Sequence, residues 1–277
     1  MNYRLPQATE GLPLHRSKLE VLCRAGINDP HLAGMAIAGS FATGEADVYS
    51  DLDLKLTIRD EDYDSWLENR SALVAAGGRA VAAFSAEHVG LPDMLIVLYD
   101  DLVHVDFQPI RVSELAATVE DVPCFILWER DGALSNQLPG APGPARTDLE
   151  WMEARMWTWA WYTHTKILRG ELYEALDALQ YMRGEVLFPL LAMRSGVRSS
   201  GSRRVESLAG ELGPSFAVTV PTYNRAEMMR ALERVMELYV ALADPLLAAA
   251  GLERAEAARH TVLPALEAGL AWTPPPG

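Results

Sequence analysis

Hydrophobic positions in the first half of the chain change rhythm several times. Over residues 14–25 they recur at helical spacing, with Pro13 just ahead as a start signal, which predicts an opening helix. Residues 35–38 read as a first strand and 52–58 as a second. In the second, Leu52, Leu54 and Leu56 fall on one face and Asp53 on the other, which it shares with Asp51 just upstream. Residues 60–76 are amphipathic, with Trp66, Leu67 and Leu73 available for a core face. Residues 79–84, 94–99 and 102–110 predict further strands, and Asp100-Asp101 reads as the hairpin turn between the last two. The sum is an α/β arrangement: a mixed β-sheet flanked by helices.

The pattern changes near the middle. Residues 137–147, QLPGAPGPART, hold three prolines and two glycines and predict an irregular connection between domains. The expected domains are 1–140 and 146–272. The second half reads as an α-helical bundle. Residues 148–168 lack Pro and Gly and stop at Gly170; 171–193 form a second helix, kinked at Gly184 or Pro189. Residues 223–250 form a third, with Pro245 late in it, and 252–270 a fourth, kinked near Pro264. The tail from Thr273 is expected to be disordered, and no internal repeat is visible.

Composition narrows the class. Of the 277 residues, 49% are hydrophobic and 22% charged, enough for a sizeable core. No apolar run is long enough for a transmembrane helix, and the N-terminal residues lack the apolar centre of a signal peptide, so the expected location is the cytoplasm, away from membranes. Cys23 and Cys124 alone make no disulfide framework or metal cluster, and both read as small buried residues. The net charge of −14 disfavours long nucleic acid as a partner and favours a cationic small molecule. Oligomeric state stays open, a homodimer included.

Chemistry concentrates in two places. In AIAGSFATGEADVYSDLDLKLTI, a hydrophobic run ends at Gly39-Ser40, and Asp51 and Asp53 follow on one strand face. A glycine turn lets backbone amides approach a phosphate, and a helix starting at Ser40 would add positive potential. Farther on, Val103, Val105 and Phe107 alternate with His104, Asp106 and Gln108. A mid-strand carboxylate is costly without a partner. Laid beside the first strand, Asp106 would complete a triad with Asp51 and Asp53. Mg²⁺ prefers such oxygen ligands, and two ions about 3.5–4 Å apart can clamp both oxygens in phosphoryl transfer.

Ala38-Gly39-Ser40, Asp51-Leu52-Asp53-Leu54 and Val105-Asp106-Phe107 together resemble the signature of the DNA polymerase β-type nucleotidyltransferase superfamily. The resemblance covers roughly the first 125 residues. In length and in the helical domain that follows, the chain is most similar to the two-domain aminoglycoside and lincosamide nucleotidyltransferases. The resemblance implies Asp51, Asp53 and Asp106 as catalytic metal ligands for Mg²⁺, Gly39 and Ser40 at the phosphates, and ATP or another NTP as co-substrate. It further implies transfer of AMP to a hydroxyl of a small cationic acceptor, hence antibiotic resistance.

The helical half offers positive charge for a triphosphate. Lys166 and Arg169 share a helix face, and Lys166 is the first choice as nucleotide ligand, with Arg169 second. Trp151, Trp157, Trp159, Trp161 and Tyr162 crowd one helix and read as core, with some able to line a cleft. Glu171, Glu174, Asp177, Glu87 and His88 are further candidates for amine binding or base chemistry, and His104 for supporting Asp106. Two other readings carry less weight: a toxin–antitoxin nucleotidyltransferase, whose members are generally shorter, and a silent nucleotide sensor, which has no need of three aspartates.

Overall fold

The computed structural model describes residues 2–119, 122–138, 148–199 and 201–273. The chain divides into two compact units, Met1–Gly143 and Pro144–Gly277. Of residues 137–147, where the domain boundary is expected, 139–147 lie outside the described residues, as do 274–277 of the expected disordered tail.

The first unit is an α/β layer structure. Its elements are α1 (Pro13–Asn28), β1 (Leu32–Ile37), α2 (Gly39–Thr43), β2 (Leu52–Ile58), α3 (Tyr63–Asn69), α4 (Ser71–Ala76), β3 (Ala80–Ala86), β4 (Leu91–Tyr99), β5 (His104–Arg111), α5 (Leu115–Thr118) and β6 (Phe125–Glu129). The six strands lie in the order β3-β4-β5-β2-β1-β6. Among the described residues only β2 and β5 pair in parallel; the other neighbours are antiparallel, so the sheet is mixed.

Alternation dictates which face closes. Leu52, Leu54 and Leu56 are fully buried and pack with Leu19, Leu22 and Cys23 of α1 and with Trp66 and Leu73. Each such leucine contributes about 1.5–3 kcal/mol. On the opposite face a smaller cluster of Ala36, Ile110, Leu115, Val119 and Leu134 covers only part of the sheet. Asp53 and Lys55 of β2 and Asp106 and Gln108 of β5 lie on the same face.

Besides the short α5, two elements depart from expectation in this unit. The amphipathic stretch 60–76 is not one helix: a 3₁₀ turn at Asp60–Asp62 precedes α3, which ends before α4 at Arg70. Strand β6 was not expected at all. It pairs with β1 at the sheet edge. Arg130, just beyond it, donates to the carbonyls of Leu32 at 3.0 Å and Ile27 at 2.6 Å, tying that edge to the α1–β1 connection.

The second unit is helical: α6 (Leu149–Arg169), α7 (Leu172–Met182), α8 (Phe188–Arg194), α9 (Val205–Ala209), α10 (Gly213–Val218), α11 (Arg225–Ala250) and α12 (Glu256–Glu267). Its long helices carry their own start and stop chemistry. Asp148 Oδ1 accepts the Trp151 N–H at 2.8 Å, and Gly170, with φ +79°, ends α6 in the left-handed region. Asn224 caps α11 through the Ala226 and Glu227 amides. The expected break near Gly184 and Pro189 takes a specific form, a π-helical turn over Arg183–Leu187 between α7 and α8. Pro189 has no N–H for the carbonyl four residues earlier, and the ladder widens just ahead of it. Helices α9 and α10 were not expected; they form by packing Val205, Ala209 and Phe216 into the bundle core.

Candidate active site

Parallel pairing of β2 with β5 sets Asp53 opposite Asp106. Because Leu52 and Leu54 turn inward, Asp53 turns to the other face; Val105 and Phe107 do the same for Asp106. Asp51 stands one residue before β2 and joins them. One ligand oxygen from each of Asp51, Asp53 and Asp106 lies within 4.8 Å of the others, and all three residues are half-buried.

Within the trio, the surroundings of Asp106 disfavour its charged form. Burial raises the pKa of Asp106 above the ordinary carboxylate range, and the charges of Asp53 and Asp51 push it further; His104 and Lys55 pull it back. His104 Nε2 approaches Asp106 Oδ1 to 3.0 Å. The two are not aligned as a hydrogen bond, and both buried atoms lack a hydrogen-bond partner. Three half-buried carboxylates with oxygens within 4.8 Å of one another, one oxygen of Asp106 without a hydrogen-bond partner and no thiolate among the donors, fit a hard divalent cation such as Mg²⁺ or Mn²⁺.

Gly39 closes the site from the side. Its φ is +63°, and a Cβ there would fall 2.2 Å from Asp53 Oδ2. The Ala38 N–H donates to the Asp53 carbonyl at 2.9 Å, fixing the turn against β2. Ser40 follows in the first turn of α2, and its carbonyl accepts the N–H of Gly44. Gly39, Asp51, Asp53 and Asp106 are therefore brought together. The placement of His104 beside Asp106 also agrees with the shared face read from the sequence.

Lys55 is a member of this face that the sequence reading passed over. It lies two residues beyond Asp53, is paired in register with Gln108, and donates to Gln108 Oε1. The same alternation that singles out Asp51 and Asp53 points to it. Cys124 is close enough to feel Lys55 and Asp53, but burial raises its thiol pKa, as it raises that of Cys23 to about 12. Neither thiol is a candidate nucleophile.

Glu87 and His88 sit in the 3₁₀ turn between β3 and β4, outside the carboxylate cluster. In the helical unit, Lys166 Nζ pairs with Glu171 at 2.6 Å and Glu174 at 2.9 Å, which raises its pKa, the Glu171 contact first. Arg169 is exposed and only 4.0 Å from Glu171 Oε1. Asp177 is exposed on α7. Trp157 is core: its Nε1–H donates to Glu153 at 3.1 Å and its ring meets Tyr239 edge-on. Trp151 and Trp159 also pair edge-on. Trp161 instead lines a cavity of about 490 Å³ with Trp272, Thr158 and residues of α12. No helix among the described residues is long and apolar enough to cross a membrane.

No family model and no curated protein matches this chain. Among solved structures, it is similar to an aminoglycoside 6-adenyltransferase from Bacillus subtilis, at 13% identity and a TM-score of 0.41, covering 92% of this chain and 98% of that one. It is also similar to a chain from the E. coli MS115-1 CdnC:HORMA-deltaN complex, at 15% identity and a TM-score of 0.28, covering 84% and 93%.

Proposed function

We propose that the chain is a divalent-metal-dependent nucleotidyltransferase. In this reading it moves a nucleoside monophosphate, AMP from ATP in the first instance, to a hydroxyl of a small molecule and releases pyrophosphate. The observation that carries it is the convergence of Asp51, Asp53 and Asp106 within 4.8 Å beside a glycine turn. The acceptor class, a cationic aminoglycoside or a lincosamide, is supported by the sequence resemblance and by the net charge of −14.

The three aspartates would hold the metal, which when bound supplies Lewis-acid charge to the phosphates. Gly39, with no side chain, leaves backbone beside Asp53 within reach of a phosphate, and Ser40 adds an amide and a hydroxyl. Asp106, whose pKa burial raises, is the candidate acceptor for the hydroxyl proton. The acceptor oxygen then bonds to the α-phosphorus as the bond to the bridging oxygen breaks, and the electron pair leaves with pyrophosphate. Lys166 is the first candidate for the triphosphate and Arg169 the second.

The test is labelled ATP with Mg²⁺ and a panel of aminoglycosides and lincosamides. Pyrophosphate release that depends on an acceptor and vanishes in Asp53→Asn supports the reading. Transfer of label to protein would point to the toxin–antitoxin type, and near-normal turnover in Asp53→Asn would remove the site assignment.

A further inference from the structure

Of the three carboxylates, Asp53 and Asp106 are fixed by the β2–β5 ladder, whereas Asp51 precedes it. Asp51 is therefore held on one side by buried Leu52 in the ladder and on the other by the loop that carries it. Ala46 of that loop packs against the core, but beyond it Val48 is 63% exposed and Tyr49 92%. Its local bonds form a small turn, with the Asp47 N–H on Ser50 Oγ at 2.9 Å and the Ser50 N–H on the Asp47 carbonyl at 3.2 Å. Such a turn sets the loop's shape but does not anchor it to the domain.

Nearer Asp51, the loop is anchored by His15. This residue lies in the first turn of α1 and is buried. Its Nε2–H donates to the Ser50 carbonyl at 2.8 Å, across 35 residues of chain. Its ring also lies 5.5 Å from that of Phe41, the buried residue of α2. One imidazole thus touches both the helix that begins at Gly39-Ser40 and the residue directly before Asp51. We propose that His15 is a positioning residue for the metal site, holding Asp51 in coordinating reach of Asp53 and Asp106 by fixing the Ser50 carbonyl against α1 and α2. The inference rests on the proposed metal site and adds to it a residue outside the carboxylate trio.

A merely structural histidine would change stability and leave the metal alone; a positioning one changes metal affinity in the folded protein. The experiment measures Mn²⁺ binding to the full chain without nucleotide, by the loss of free-Mn²⁺ EPR signal, with circular dichroism to verify the fold. His15→Phe keeps an aromatic ring against Phe41 and removes the donor. It is expected to weaken Mn²⁺ binding about tenfold, as loss of an outer partner of a metal site does. His15→Gln, whose amide N–H has a similar reach, is expected to restore most of the affinity, and in turnover the KM for metal should move more than kcat. Wild-type affinity in His15→Phe, or equal losses in the Phe and Gln variants, would overturn the proposal. So would failure of both His15→Phe and His15→Leu to fold while His15→Gln folds, since His15 would then be a core residue. The metal-site reading itself fails by a different result: no Mn²⁺ binding by the wild type, or undiminished binding in Asp53→Asn.

Discussion

The α-carbon of Gly39 faces the carboxylate of Asp53 so closely that a methyl group on it would overlap Oδ2 at 2.2 Å. Any side chain must therefore displace Asp53, and the backbone at φ +63° is itself unfavourable for an L-residue. Gly39→Ala is expected to lower turnover about 100-fold, the usual consequence of misplacing a reacting group by an ångström. Mn²⁺ binding should weaken in parallel, while circular dichroism stays unchanged. Full activity in this variant would show that Asp53 does not need its observed rotamer.

Asp106 gives the metal-free protein a distinctive response to pH. Its pKa is raised in the folded chain, chiefly by burial, so the folded state keeps a proton that the unfolded chain has already lost. Stability should then fall as pH rises from the ordinary carboxylate range through the folded pKa, and the deficit should persist at neutral pH. Asp106→Asn is expected to be more stable than the wild type at about pH 7.5 without metal and to match it in acid. Metal reverses the order. At a free concentration one hundred times its Kd, Mg²⁺ should add about 2.7 kcal/mol to the wild type and little to the variant. Thermal melts with and without Mg²⁺ at several pH values check both statements.

The carboxylate trio was legible because period-two alternation assigns a face to each residue, and two leucine- or valine-lined strands leave little freedom for Asp53 and Asp106. Lys55 was equally within reach of that logic, lying on the same face. His15 was not, since its partner is a backbone carbonyl 35 residues away and leaves no trace in residue types. Strand β6 escaped because Phe125, Ile126, Leu127 and Trp128 form a short continuous apolar run without alternation. Helices α9 and α10 owe their existence to packing of Val205, Ala209 and Phe216, and propensity alone does not call for them.

Lys166 tests the nucleotide side of the proposal. Its ammonium is held by Glu171 and Glu174, so binding a phosphate means exchanging one carboxylate for another anion. Lys166→Ala is expected to raise the KM for ATP about tenfold, the order of a lost charge-assisted hydrogen bond, with a smaller effect on the KM for acceptor. Steady-state kinetics varying each substrate separately will decide. An unchanged KM for ATP would reduce Lys166 to a structural partner of the two glutamates.

Glu153 governs the stability of the helical unit. It is buried, and its carboxylate accepts from Trp157 Nε1–H at 3.1 Å, from the Ala255 N–H at 2.8 Å and from the Tyr239 hydroxyl. Those donors come from α6, α11 and the segment leading into α12, so one side chain pins three parts of the bundle. The Tyr239 hydroxyl pKa is raised, by burial first and then by this carboxylate, so the phenol remains a donor at any physiological pH. Glu153→Ala leaves three donors without an acceptor and is expected to cost about 3 kcal/mol in urea unfolding. Glu153→Gln keeps one carbonyl acceptor and should cost about 1 kcal/mol. Since Glu153 is not among the three carboxylates, Mn²⁺ affinity should be unchanged in the folded Glu153→Gln variant. A loss below about 1 kcal/mol in Glu153→Ala would mean that water replaces the carboxylate and that the network is not what holds these helices together.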